Sequence, residues 1–205
     1  IENGVDIERF QRAAPLTLDA LGLKPNSVIL LMIARMEDQK DHITLFKALQ
    51  LLPENFELLL VGEGSKENEY KAYCKSKGIA DRVKFLGPRQ DVPSIIKTAD
   101  ICILSSNWEG FGLVAVEYMA AGKPVIASDV AGLNKVVEDA GLLFERGDQE
   151  QLKELILRLS SDREFYNSVS EKCRQRASSY SVFRMYEAYL NVYESLLNQE
   201  KVAST

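Results

Sequence analysis

The chain has 205 residues, 46% hydrophobic and 27% charged, with a formal net charge of −5. That length bounds it to one or at most two domains around a real core. The acidic balance argues against nucleic acid as a partner, while a few local cations and helix N-termini can still hold a small anion.

The opening "IENGVDIERF" is polar and acidic, lacks a Met and has no signal-peptide pattern, so a fragment or processed form of a longer protein is expected. Short apolar runs follow: "VILLMIA" (28–34), "ELLLVG" (57–62), "RVKFLG" (82–87), "ICILS" (101–105), "PVIAS" (124–128) and "GLLF" (141–144). Most are apolar throughout rather than alternating, which predicts strands buried on both faces. Between them the spacing predicts helices over 41–52, 66–78, 91–98, 113–121, 132–138 and 149–160. Strand–helix alternation and right-handed crossovers give an α/β fold: a Rossmann-like, doubly wound parallel sheet of about six strands with helices on both faces. Beyond Asp148 the pattern is helical throughout 149–198. Within "SVFRMYEAYLNVYESLL" (181–197), Phe183, Tyr186, Leu190, Tyr193 and Leu197 form a stripe expected to pack in the helical region 149–180 or against another domain. "NQEKVAST" (198–205) reads as a polar tail.

No run of about 18 uncharged apolar residues is present, so no membrane-spanning helix is expected. The three cysteines, Cys74, Cys102 and Cys173, form no CxxC and fit idle thiols in a reducing, cytoplasmic setting. With His42 as the only histidine, structural zinc and a Ser-His-Asp triad are both disfavoured, and His42 is expected on the surface of the first helix. "VGEG" (61–64) is not a full dinucleotide fingerprint, because Glu67 stands where the last glycine is needed, and no Walker-A motif occurs.

Ligands of doubly wound sheets bind at the carboxyl ends of the strands. Here those ends carry "ARMEDQK", "GEG", "GPRQ", "SSNWEGFG" and "SDVAG". Gly110 and Gly112 allow positive φ and close backbone approach, and the helix that follows offers uncapped amides to an anion. Glu109 precedes this turn and Glu117 lies about one turn into the helix; each carboxylate suits a vicinal diol. Glu117 sits in the apolar "LVAVEYMAA" and needs a partner. Arg35 and Lys40, at the first strand end, complete a candidate diphosphate clamp.

"EGFGLVAVE" (109–117), within "SSNWEGFGLVAVEYMAAGKPVIAS", resembles the E-x7-E motif of retaining family 4 glycosyltransferases of the GT-B fold, also described as glycosyl transferases group 1. "NGVD" (3–6), Arg35 with Lys40, "LLLVGEG" (58–64) and "VKFLG" (83–87) match in order, and the resemblance spans roughly 1–197. It implies that the reaction rests on Arg35 and Lys40 at the donor diphosphate and on Glu109 at the hydroxyls of the transferred sugar. The backbone of Gly110, Phe111, Gly112 and Leu113 would contact phosphate and sugar, and Glu117 the ribose. Gly62, Gly87, Pro88 and Arg89 would lie near the base. The donor is a nucleotide sugar, UDP-linked by preference, and neither a cofactor nor a metal is expected. Residues 1–205 would form a single donor domain, with its partner the N-terminal acceptor domain of the full-length protein, itself a candidate for peripheral membrane association. Ala131 and Lys135 depart from the family's Gly-Gly-x-x-Glu, and no role is carried onto 131–135. The alternatives are a non-catalytic nucleotide- or sugar-nucleotide-binding domain and half of a GT-B-type epimerase.

Overall fold

The computed structural model describes residues 1–203, with side chains through residue 197; the side chains of the expected tail at 198–205 lie outside it. The strands are β1 (Val28–Ile33), β2 (Phe56–Val61), β3 (Val83–Phe85), β4 (Ile101–Leu104), β5 (Val125–Ser128) and β6 (Leu142–Phe144). They form one sheet of order β3-β2-β1-β4-β5-β6, every pair parallel. Each strand falls within a residue or two of its apolar run. The reason is burial: every residue of β2, β4 and β5 is inaccessible to water, as a sheet covered on both faces requires.

The helices are α1 (Ile7–Arg12), α2 (His42–Leu51), α3 (Glu67–Ser76), α4 (Val92–Thr98), α5 (Leu113–Ala120), α6 (Leu133–Val137), α7 (Gln149–Ser161), α8 (Arg163–Ala177) and α9 (Val182–Ala203). Right-handed crossovers send the two halves of the sheet to opposite faces. Accordingly α2 packs with α3 and α7, while α5 packs with α1, α6 and α8. The helical C-terminal stretch breaks at Asp162, whose carboxylate accepts from Phe165 N at 2.9 Å and so starts α8. Among the described residues no helix is long and apolar enough to cross a membrane.

Two expectations are corrected. His42 is buried, not on the surface, with its ring 4.9 Å from that of Tyr70. The apolar side of α2 starts at its first residue, so the imidazole enters the core, and burial, with help from Lys40, pushes its pKa down to about 4. The stripe of α9 does not pack in the region 149–180. Phe183, Tyr186 and Tyr193 are 72%, 60% and 59% exposed. Among the described residues α9 is anchored at its root: Val5 N donates to the Tyr180 carbonyl (2.8 Å) and Val182 N to the Val5 carbonyl (3.0 Å). The three cysteines, expected as idle thiols, are free and buried.

Candidate functional site

β1 and β4 are neighbours, yet their following loops lead to helices on opposite faces. A crevice opens between such loops. Here it is a cleft of about 260 Å³ with Ile33 and Leu104, the last residues of the two strands, on its wall. Lys40, Glu109, Phe111, Gly112, Leu113 and Val114 complete the lining, together with Asn3 from the opening segment.

The loops are stitched together. Ser105 Oγ donates to the carbonyls of Lys40 and Asp41 at 3.2 and 2.9 Å. Asn107 N donates to the Gln39 carbonyl (2.7 Å) and Asn107 Nδ2 to the Asp38 carbonyl (2.8 Å). Across this seam Lys40 Nζ pairs with Glu109 Oε1, the two side chains only 15% and 11% exposed. Ser106 Oγ donates to the same oxygen at 2.9 Å, and Ser128 Oγ holds the Ser106 carbonyl at 2.6 Å. Among the described residues Glu109 Oε2 carries no hydrogen bond. The sequence reading placed Lys40 and Glu109 at different parts of one ligand; the fold makes them a desolvated ion pair.

The glycine turn is resolved asymmetrically. Gly112 adopts φ +85° and a Cβ there would lie 2.5 Å from Leu133 Cδ2. Gly110 has no positive φ and open space around its α-carbon, so the positive φ expected at both glycines occurs at Gly112 alone. No side chain caps α5, and Gly112, Leu113 and Val114 line the cleft, so the first amides of the helix are available to an anion there. Phe111 also lines the cleft and meets Tyr180 edge-on at 5.5 Å, fastening the turn to the segment before α9.

Other candidate residues lie around this centre. Arg35 is exposed and outside the cleft wall; its guanidinium donates to Gln39 Oε1 at 3.4 Å. Gly62 N donates to the Gly87 carbonyl at 2.9 Å, which joins the exits of β2 and β3. Pro88 and Arg89 follow on the surface, and Arg89 forms a bidentate pair with Asp91 at 2.8 and 2.6 Å. Glu117 is half-buried in α5 and outside the cleft wall. Burial pushes its carboxyl above the ordinary value, and Arg9 of α1 pulls the other way. Arg9 offsets the burial only in part, and among the described residues it forms no ion pair with Glu117.

Sequence reasoning missed Asn3, Arg9, Ser106, Ser128 and Gly132. The last has φ +90°, and a Cβ would lie 2.5 Å from the Glu109 carbonyl, so Gly132 lets the Glu109 loop seat against α6. The signals were thin: paired serines before the acid, and the one glycine retained at 131–132. Among the described residues no group of three or more His, Cys, Asp and Glu is arranged to hold a metal.

Comparison with known proteins agrees with this geometry. The chain is 30% identical over 205 residues to the UDP-Gal:alpha-D-GlcNAc-diphosphoundecaprenol alpha-1,3-galactosyltransferase of Escherichia coli, covering 94% of this chain and 53% of that one. It is 31% identical to the D-inositol 3-phosphate glycosyltransferase of Saccharomonospora viridis, covering 96% and 50%. It superposes on the crystal structure of Anabaena HepE in complex with UDP and glucose with a TM-score of 0.86 at 25% identity, covering 94% of this chain and 55% of that one. The chain therefore spans about half the length of the curated relatives it matches. The family described as glycosyl transferases group 1 matches residues 17–176, and the chain belongs to that family.

Proposed function

We propose that this chain binds the nucleotide-sugar donor, UDP-linked by preference, of a glycosyltransferase whose full-length form transfers the sugar to an acceptor with retention of configuration. One observation carries the reading: a switch-point cleft in which a desolvated lysine and the uncapped start of α5 share one wall. Both stabilise the charge that builds on a departing diphosphate, in a site that is already organised before the reaction. The UDP complex of the Anabaena neighbour supports the choice of nucleotide.

In this reading Lys40 and Arg35 hold the diphosphate, Arg35 by swinging in from Gln39. Glu109, through its unbonded oxygen, takes the sugar hydroxyls. The Gly110–Leu113 backbone contacts phosphate and sugar, and Glu117 the ribose. Gly62, Gly87, Pro88 and Arg89 flank the base. No metal is required, the cationic side chains and helix amides supplying the positive charge. The N-terminal half of the full-length protein brings the acceptor, and the enzyme works in the cytoplasm, where nucleotide sugars are made.

Calorimetry of the 205-residue chain with UDP, in the presence of a chelator, tests this. Binding is expected, and Lys40→Ala should weaken it roughly tenfold to a hundredfold, the worth of one charge-assisted hydrogen bond of about 1.5–3 kcal/mol. A UDP affinity untouched by Lys40→Ala and Arg35→Ala together would remove the clamp.

A further inference from the structure

A second cavity lies on the other side of Glu109. It is larger, about 520 Å³, and is walled by Trp108, Glu109, Asp129, Ala131, Glu145 and Arg146. Glu109 is thus a partition shared by two cavities, one at the exits of β1 and β4, the other at the exits of β4, β5 and β6. A transferase has to bring two substrates to one reacting atom, and a shared wall residue is where two such sites meet.

The chemistry of the second cavity is specific. Trp108 is the chain's one tryptophan and is 58% exposed. Its backbone is locked, since Gln39 Nε2 donates to the Trp108 carbonyl at 3.0 Å and the preceding Asn107 is held at both its N and its Nδ2. An indole on such a loop is a flat apolar platform whose backbone is already ordered before binding. Opposite it stand hydrogen-bonding groups. Glu145 and Arg146 are exposed, and Asp129 commits one oxygen to Asn134 Nδ2 at 3.1 Å. With Glu109 neutralised by Lys40, the two carboxylates of Asp129 and Glu145 against the one guanidinium of Arg146 disfavour an anionic occupant. A flat apolar face combined with acceptors for paired hydroxyls matches a neutral pyranose ring, which has an apolar side and a rim of hydroxyl groups.

We propose that this cavity seats a pyranose ring of the glycosyl acceptor, stacked on Trp108 and held by Asp129, Glu145 and Arg146. This rests on the donor reading of the neighbouring cleft. The two substrates then lie on either side of Glu109, with the acceptor over β5 and β6. Its recognition is shared between this chain and the N-terminal half.

The single tryptophan makes the test direct. Methyl glucoside, galactoside and mannoside are titrated into the 205-residue chain while Trp108 emission is followed. At least one should give a saturable change with a dissociation constant in roughly the millimolar range. The change should persist when the chain is saturated with UDP-glucose, and Glu145→Gln should weaken the response roughly tenfold. No saturable response from any of the three overturns the proposal. So does a response lost on adding UDP-glucose, which assigns the ring to the donor, or one produced by uridine alone, which assigns the platform to the base. Calorimetric UDP binding in the same sample keeps the donor reading separate: if UDP binds and no pyranoside does, only the acceptor site falls.

Discussion

Lys40 and His42 are two residues apart at the rim, and the fold treats them in opposite ways. Lys40 is paired with Glu109, whose Oε1 also accepts from Ser106, while His42 is buried with Nδ1 unpaired among the described residues. The folded pKa of His42 is about 4 against 6.5 for the ordinary group. The unfolded chain therefore binds the proton first, and the stability that neutral His42 contributes above pH 6.5 is lost as pH falls toward 4. The loss is on the order of 3 kcal/mol. Urea unfolding at pH 7 and at pH 4.5 should show a steeper loss for the wild-type chain than for His42→Phe; equal losses would mean that the imidazole is hydrated. The Lys40–Glu109 pair makes a second prediction. A diphosphate has to compete with Glu109 for Lys40, so Glu109→Gln should tighten UDP by about 1 kcal/mol, roughly fivefold, while reducing the extra affinity of UDP-sugar over UDP. Glu117→Gln should weaken UDP itself. If both variants weaken UDP equally in calorimetry, the two acids are not divided between sugar and ribose.

At the scale of elements, the strands were legible because burial on both faces writes an uninterrupted apolar run, as in "ICIL". The first helix was not: α1 is six residues long and buries Phe10 alone, too little to set a period. Its loss hid Arg9 and so the neighbour of Glu117. The Lys40–Glu109 pair was also hidden, because it joins residues 69 apart and exists only through the pairing of β1 with β4. Alternation predicts a doubly wound sheet, but not which side chains of two loops will touch. The glycine turn was half legible: composition marks Gly110 and Gly112 equally, whereas only the second takes a left-handed conformation to start α5. Gly112→Ala should therefore cost about 1–3 kcal/mol in denaturant unfolding, from backbone strain and from the clash with Leu133. Gly110→Ala should be near neutral for stability. A reversed ranking would mean that the turn is set by something other than φ.

At the scale of the molecule, the opening segment and α9 are joined at one place. Val5 bridges to Ser181, Gly4 N approaches Met185 Sδ at 3.2 Å, and a Cβ on Gly4 would lie 2.6 Å from Val182 Cα. From that root α9 carries Phe183, Tyr186, Tyr189, Leu190, Val192 and Tyr193 into solvent. The resemblance to GT-B enzymes implies that the final helix crosses to the N-terminal half, and the chain's coverage of about half of its relatives is in keeping with such a partner. Among the described residues nothing covers these side chains, and a contiguous apolar patch of this kind rarely stays bare. Burying each large side chain is worth roughly 1.5–3 kcal/mol relative to exposure, so a few such residues per copy can offset the entropy of association. We expect the 205-residue chain to self-associate through α9, with sedimentation shifting from monomer toward dimer as concentration rises. Tyr186→Glu with Tyr193→Glu should hold it monomeric without lowering its unfolding midpoint, because neither ring touches the core. Dimerisation that survives both substitutions would move the contact away from α9, and a lowered midpoint would show that the helix packs on its own domain in solution.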